Sequence, residues 1–116
     1  MRLRIFPTVE ASSQARRELL SLACQIDQHS LSDVRTVISE LVGLSVANGA
    51  RKPIEVSLRL DAGRLDGAVC DDGAGVRAIS RPDSSLVLRI LDGLVEDWGA
   101  NAERNQIWFR ITVQPV

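Results

Sequence analysis

The 116-residue chain contains a single histidine, His29, and two cysteines, Cys24 and Cys70. A Ser-His-Asp group, a Cys-His pair or a multi-histidine zinc site would rest entirely on that one imidazole, so such chemistry is not expected. The cysteines lack Cys-x-x-Cys spacing and fall inside apolar periodic segments, which predicts buried free thiols. No cluster of arginine or lysine exceeds two residues, and 14 basic residues face 15 acidic ones, so nothing suggests a phosphate-tracking surface and nucleic acid is not an expected partner. No apolar run approaches the length needed to cross a bilayer, and the opening MRLRIFPTVE lacks the apolar centre of a signal peptide. The expected location is therefore the cytoplasm, with no membrane partner. No repeat, linker or low-complexity segment breaks the chain, and a 45% hydrophobic composition suffices for one core, so residues 1–116 are expected to form one domain.

What is present is a series of short periodic segments. Leu3 and Ile5 alternate with Arg2 and Arg4 before Pro7, which predicts a short strand, possible at a sheet edge. From about Ser12 the period lengthens, and Leu19, Leu22, Ala23 and Ile26 form the stripe of an amphipathic helix ending near Gln28. A second helix is expected to start at a Ser32 N-cap, to bury Val34, Val37, Ile38, Leu41, Val42 and Ser45, and to close at Asn48-Gly49 before Pro53. Ile54 to Leu60 and Leu65 to Cys70 read as a hairpin turned by Asp61-Ala62-Gly63. After a polar connection, AISRPDSS, the residues Val87, Ile90, Leu91 and Leu94 mark a third helix with Ser84 as its cap. Two strands close the chain, one centred on Trp98 and one running from Ile107 to Val113. The sum is an α+β fold: a two-layer sandwich with a mostly antiparallel, mixed sheet of about five strands and three helices on one face.

The stretch VCDDGAGV, residues 69–76, sets two carboxylates and two glycines behind an apolar strand. Asp and Gly are ordinary turn formers, so Asp-x-Gly-x-Gly is by itself compatible with a plain turn. In the second helix Glu40, Leu44 and Asn48 stack at i, i+4 and i+8 along the margin of the buried stripe, where a carboxylate either faces a cleft or is simply solvated.

The strings ISELVGLSVANG (38–49), VCDDGAGV, LRILDGLVEDWGA (88–100) and IWFRI (107–111), in this order and spacing, make the chain resemble the histidine-kinase-like (GHKL, Bergerat-type) ATPases over nearly its whole length. The nearest branch is that of bacterial anti-sigma factors that are also serine protein kinases. The resemblance implies that Glu40 stands where the family has its catalytic base, and that Asp71, Gly73 and Gly75 stand where the family holds adenine. It also implies Mg-ATP as cofactor, a sigma factor or an anti-anti-sigma factor as partner, and a possible homodimer.

Four positions depart from the family pattern. Leu44 replaces the asparagine that ligates magnesium, and an aliphatic side chain offers no lone pair to a hard cation. Asn48, one turn on, could supply that oxygen or simply cap the helix. Ser85, Leu86, Val87 and Leu88 replace a Gly-x-Gly-Leu phosphate loop, and a valine Cβ obstructs close backbone approach, although a serine beside a helix start can still donate to an anion. Only the eight residues 76–83 separate Gly75 from Ser84, too few for the lid that encloses a triphosphate. Gln106 replaces the threonine ahead of the last strand. The expected function is a regulatory module that binds a protein, with weakened Mg-ATP binding and no metal site. The alternatives are an active serine kinase using Glu40, and an adenine-ligand sensor without phosphoryl transfer. On these readings Asp71→Asn is expected to matter only where an adenine ligand binds.

Overall fold

Alternation and helical periodicity set most of the elements. The computed structural model describes residues 1–81 and 84–116; Pro82 and Asp83 of the polar connection, and the side chain of Ser85, lie outside the described residues. The order is β1 (Arg2–Ile5), α1 (Ala11–Glu18), α2 (Gln28–Ala47), β2 (Ile54–Asp61), β3 (Arg64–Cys70), α3 (Ala74–Ile79), α4 (Ser85–Leu94), β4 (Asp97–Asn101) and β5 (Gln106–Thr112). The strands form one sheet in the order β1-β2-β3-β5-β4. Every pair is antiparallel, so the sheet is not mixed. Hairpins join β2 to β3 and β4 to β5, and the long α3–α4 connection places β4 at the far edge so that β5 returns between it and β3. β1 is the other edge strand.

The β2–β3 hairpin closes through Ala62 and Gly63, both at positive φ (50° and 82°), the two-residue geometry whose twist matches the strands it joins. Inward positions of the sheet are apolar: Ile54, Val56 and Leu58 on β2, Leu65 and Val69 on β3, and Ile107, Phe109 and Ile111 on β5 are all buried. Helix α2 presents Leu31, Val34, Val37, Ile38, Leu41, Val42 and Ser45 to that face, also buried. The result is the two-layer α+β sandwich.

The first helix departs from expectation after Glu18, where the chain tightens into a 3-10 turn over Leu19–Cys24. Three residues per turn keep Leu19 and Leu22 aligned toward the core but rotate Ala23 and Cys24 outward, so both are exposed. Cys70 is half-buried rather than buried. On β3 the core positions belong to Leu65, Gly67 and Val69, which turns Cys70 to the opposite face, where partial burial pushes its thiol pKa up. Trp108 faces away from the core in the same manner, its neighbours Ile107 and Phe109 taking the inward positions. Trp98 does pack against the core, half-buried, with its indole nitrogen donating to Asp92 at 3.1 Å.

Helix α2 begins four residues before the expected Ser32 cap. Asp27 is the N-cap, and its Oδ1 accepts from the Ser30 amide at 2.8 Å. The C-terminal tail fixes this choice: the Asp27 amide donates to the Gln114 carbonyl (2.8 Å), and the Gln114 amide to the buried Ser30 hydroxyl (2.8 Å). Asn48 is the C-cap and Gly49, at φ 89°, the left-handed residue after it, as expected.

The Ser30 amide holds the Asp27 carboxyl below its ordinary pKa. A carboxyl titrating lower in the folded state stabilises at pH values above its ordinary pKa of about 3.9 and loses that contribution as pH falls through the lowered value. Thermal midpoints measured from pH 6 to pH 3 should therefore drop on the acid side. Asp27→Asn, which keeps a capping oxygen without the charge, should flatten that drop.

Candidate functional site

β3 delivers Asp71 into a loop that its own carboxylate organises. The Gly73 amide donates to Oδ1 at 2.7 Å and the Gly75 amide to Oδ2 at 2.8 Å, while the Asp71 amide donates to the Asn105 carbonyl at 3.2 Å. Gly73 has φ 105°, and a Cβ there would lie 2.5 Å from an Arg77 guanidinium nitrogen. A Cβ on Gly75 would lie 2.9 Å from Asp71 Oδ2 and 3.0 Å from the Ser45 hydroxyl, because α3 starts pressed against α2. Both glycines thus have a structural requirement independent of any ligand. Asp72 acts in parallel: its Oδ2 accepts from the Arg51 amide at 2.9 Å, which ties the α2–β2 loop to this turn and lowers the Asp72 pKa.

The second group of candidates gathers elsewhere. Leu44 and Ala47 of α2, its C-cap Asn48, Ala78 of α3 and Ser84 line a cleft of about 280 Å³. Leu44 is one wall of it. Asn48 donates through Nδ2 to the Leu44 carbonyl (2.8 Å), and its Oδ1 accepts from Arg81 at 3.3 Å. An oxygen already facing a guanidinium is poorly placed to take a magnesium ion, since a second cation would meet the first at close range. Glu40, one turn before Leu44, is half-buried and makes no hydrogen bond or ion pair among the described residues. The cleft lining includes neither Glu40 nor Asp71; the loop carboxylate is linked to it through α3, which carries Gly75 near its start and Ala78 near its end.

Two expectations at the phosphate end change. Ser84 occupies the N-cap position of α4 but does not cap it, because its hydroxyl proton is shared between the carbonyls of Ile79 (2.9 Å) and Arg81 (2.7 Å). The hydroxyl therefore closes the end of α3. Gln106 is not at the cleft, because Ile107 points inward and strand alternation sends Gln106 to the opposite face beside Cys70. Of the four departures, Leu44 is the one that lines the cleft; Val87 is buried in the core and Leu86 is 63% exposed. The proposed donor Ser85 has its side chain outside the described residues.

The short helix α3, which spans the end of the VCDDGAGV stretch and the start of the polar connection, was not legible in the sequence. Its six residues are too few to show a period, although Gly73 followed by Ala-Gly-Val-Arg-Ala-Ile is compatible with a helix start. Arg81 and Asn105 were likewise missed as partners of candidate residues. The Asn105 left-handed conformation (φ 51°) after Ala102–Arg104 was signalled only by its Asn identity. Among the described residues, no three histidine, cysteine, aspartate or glutamate side chains gather as a metal cage. Compared with known proteins, the chain matches no family model and no curated sequence.

Proposed function

We propose that this domain is a regulatory module that acts by binding a protein, built on the plan of the anti-sigma factors with a histidine-kinase-like fold and impaired in gripping Mg-ATP. The observation that carries this reading is the cleft wall. Where phosphoryl transfer needs an oxygen ligand for the cation, Leu44 presents methyl groups, and the adjacent Asn48 oxygen is engaged by Arg81. The loop that would floor an adenine site is self-sufficient, each carboxylate oxygen of Asp71 holding one backbone amide. The proposed partner is a sigma factor or its antagonist, the anti-anti-sigma factor, and the proposed location is the cytoplasm; no helix among the described residues is long and apolar enough to cross a membrane.

Each oxygen of Asp71 retains a second lone pair, which keeps an adenine-ligand sensor as the second reading. Calorimetry separates the readings. ATP with and without magnesium, and adenosine alone, should give no heat of saturable binding for the protein-binding module. Metal-independent adenosine binding supports the sensor. Micromolar binding that requires magnesium is what the kinase reading, with Glu40 as its base, calls for, and overturns the proposal.

A further inference from the structure

The helices cover one face of the sheet and leave the other open. In register, that open face consists of rows running across the strands. The central row is Arg2, Ser57, Ala68, Trp108 and Gly99. On one side lies the row Arg59, Asp66, Arg110 and Asp97, and on the other Arg4, Glu55, Cys70, Gln106 and Asn101. Between Arg2 and Trp108 the central row carries only a hydroxymethyl and a methyl group, so it is a trough between two walls of longer side chains. On the Arg59–Asp66 side it opens into a hollow of about 400 Å³, lined in part by Arg2, Ser57, Arg59, Asp66, Ala68 and Trp108, and on the Glu55–Cys70 side Arg2 and Ser57 also border a smaller one of about 190 Å³.

The two ends of the trough differ. At one end the Trp108 indole lies flat on Gly99, so close that a Cβ there would sit 2.7 Å from the ring, and the tryptophan stays half-exposed. At the other end Arg2, Arg4 and Arg59 are exposed and make no ion pair among the described residues, whereas Asp66 is neutralised by Arg110 (3.0 Å) and Arg64 (3.7 Å). Arg2, Arg4 and Arg59 stand against Glu55 and Asp61, the latter two residues beyond Arg59 on the same face of β2, which leaves that end with one positive charge in excess.

We infer that this trough is the docking surface for an extended acidic segment of a partner protein, laid across the strands with an apolar side chain on Trp108 and a carboxylate against Arg2 and Arg59. The inference rests on the protein-binding reading above and names the chemistry of its partner. β5 and β1 are three strand spacings apart, about 14 Å, which an extended chain spans in about four residues. The segment therefore carries an apolar residue and, about four positions away, an acidic one. A nucleic-acid strand fits less well, because its phosphates recur along the whole length of the trough whereas the arginines without an ion pair lie at one end of it, Arg110 at the other being held by Asp66.

The test uses a fluorescein-labelled ten-residue peptide of serine and threonine bearing one leucine and, four positions on, two glutamates, with a version carrying lysines in place of the glutamates. Anisotropy should show saturable binding of the acidic peptide. Amide and indole resonances of Ser57, Ala68, Gly99 and Trp108 should shift on titration. The double variant Arg2→Glu/Arg59→Glu should weaken binding about tenfold or more, and Arg89→Glu, a reversal on α4, should leave it unchanged. Equal binding of the lysine peptide, tighter binding of oligothymidine, shifts confined to the α2–α4 cleft, or indifference to the double reversal would overturn the assignment. So would self-association that the double reversal abolishes, since a second copy would then occupy the face. Magnesium-dependent ATP binding overturns the functional reading while leaving the peptide result to judge the surface separately.

Discussion

Phe109→Ala is expected to lower the thermal unfolding midpoint by roughly 12 to 20 °C, corresponding to about 3 to 5 kcal/mol lost from a domain of this size. The ring is 1% exposed at the centre of β5, and its size is accommodated by the absence of a side chain at Gly67 directly across on β3. A Cβ on Gly67 would lie 2.3 Å from Phe109 Cζ and 3.0 Å from Leu58 Cδ2. Gly67→Ala should therefore cost about 1 to 3 kcal/mol by overpacking, although its backbone conformation suits any residue. In a Phe109→Leu background most of that cost should disappear, because the crowded atoms are gone. Circular dichroism melts of the two single variants and the pair give the coupling. Additive effects would show that the glycine and the ring are not mutually fitted.

Asp71→Ala is expected to destabilise the fold by about 2 to 4 kcal/mol, because the Gly73 and Gly75 amides lose their shared acceptor in a turn packed against α2. Asp71→Asn, which keeps one acceptor oxygen, should fall between alanine and the native residue. Denaturant midpoints measure the loss, and hydrogen exchange at the two glycine amides locates it. The result should be the same with or without nucleotide. The carboxylate holds two backbone amides whether or not a ligand is present, so Asp71→Asn is expected to affect stability in addition to any adenine binding. Loss of nucleotide binding in an Asp71 variant is therefore informative only when its stability is measured alongside.

Legibility in the sequence followed the range of the interactions. Strand alternation in Ile54 to Leu60 and Ile107 to Val113, the stripe from Val34 to Ser45, the Ala62-Gly63 turn and the Asn48-Gly49 cap are local, and each was readable because the residues that produce it are neighbours. The Ser32 cap was misplaced because the true choice, Asp27, is enforced by Gln114, more than 80 positions away in the chain. Cys70 was misplaced because an apolar residue in a strand can take either face, and its neighbour Val69 took the inner one; Cys24 was misplaced because its helix tightens to three residues per turn.

For the candidate site the division is similar. The residue types Asp71, Gly73, Gly75, Glu40, Leu44 and Asn48 were visible, and so was the lack of an oxygen ligand at Leu44. Their surroundings were not: that Asp71 turns back on its own loop, that Arg81 reaches Asn48, and that Gln106 lies across the sheet from the cleft.

By itself the sequence determined the α+β pattern, the hairpin, the course of the long helix and the chemical character of each candidate side chain, because these depend on contacts within a few residues. The tertiary structure alone decided which carboxylates were already engaged, which face each strand showed to solvent and where a trough opened beside Trp108. Those outcomes depend on strand register and on distant partners, which bring together residues that no local pattern connects.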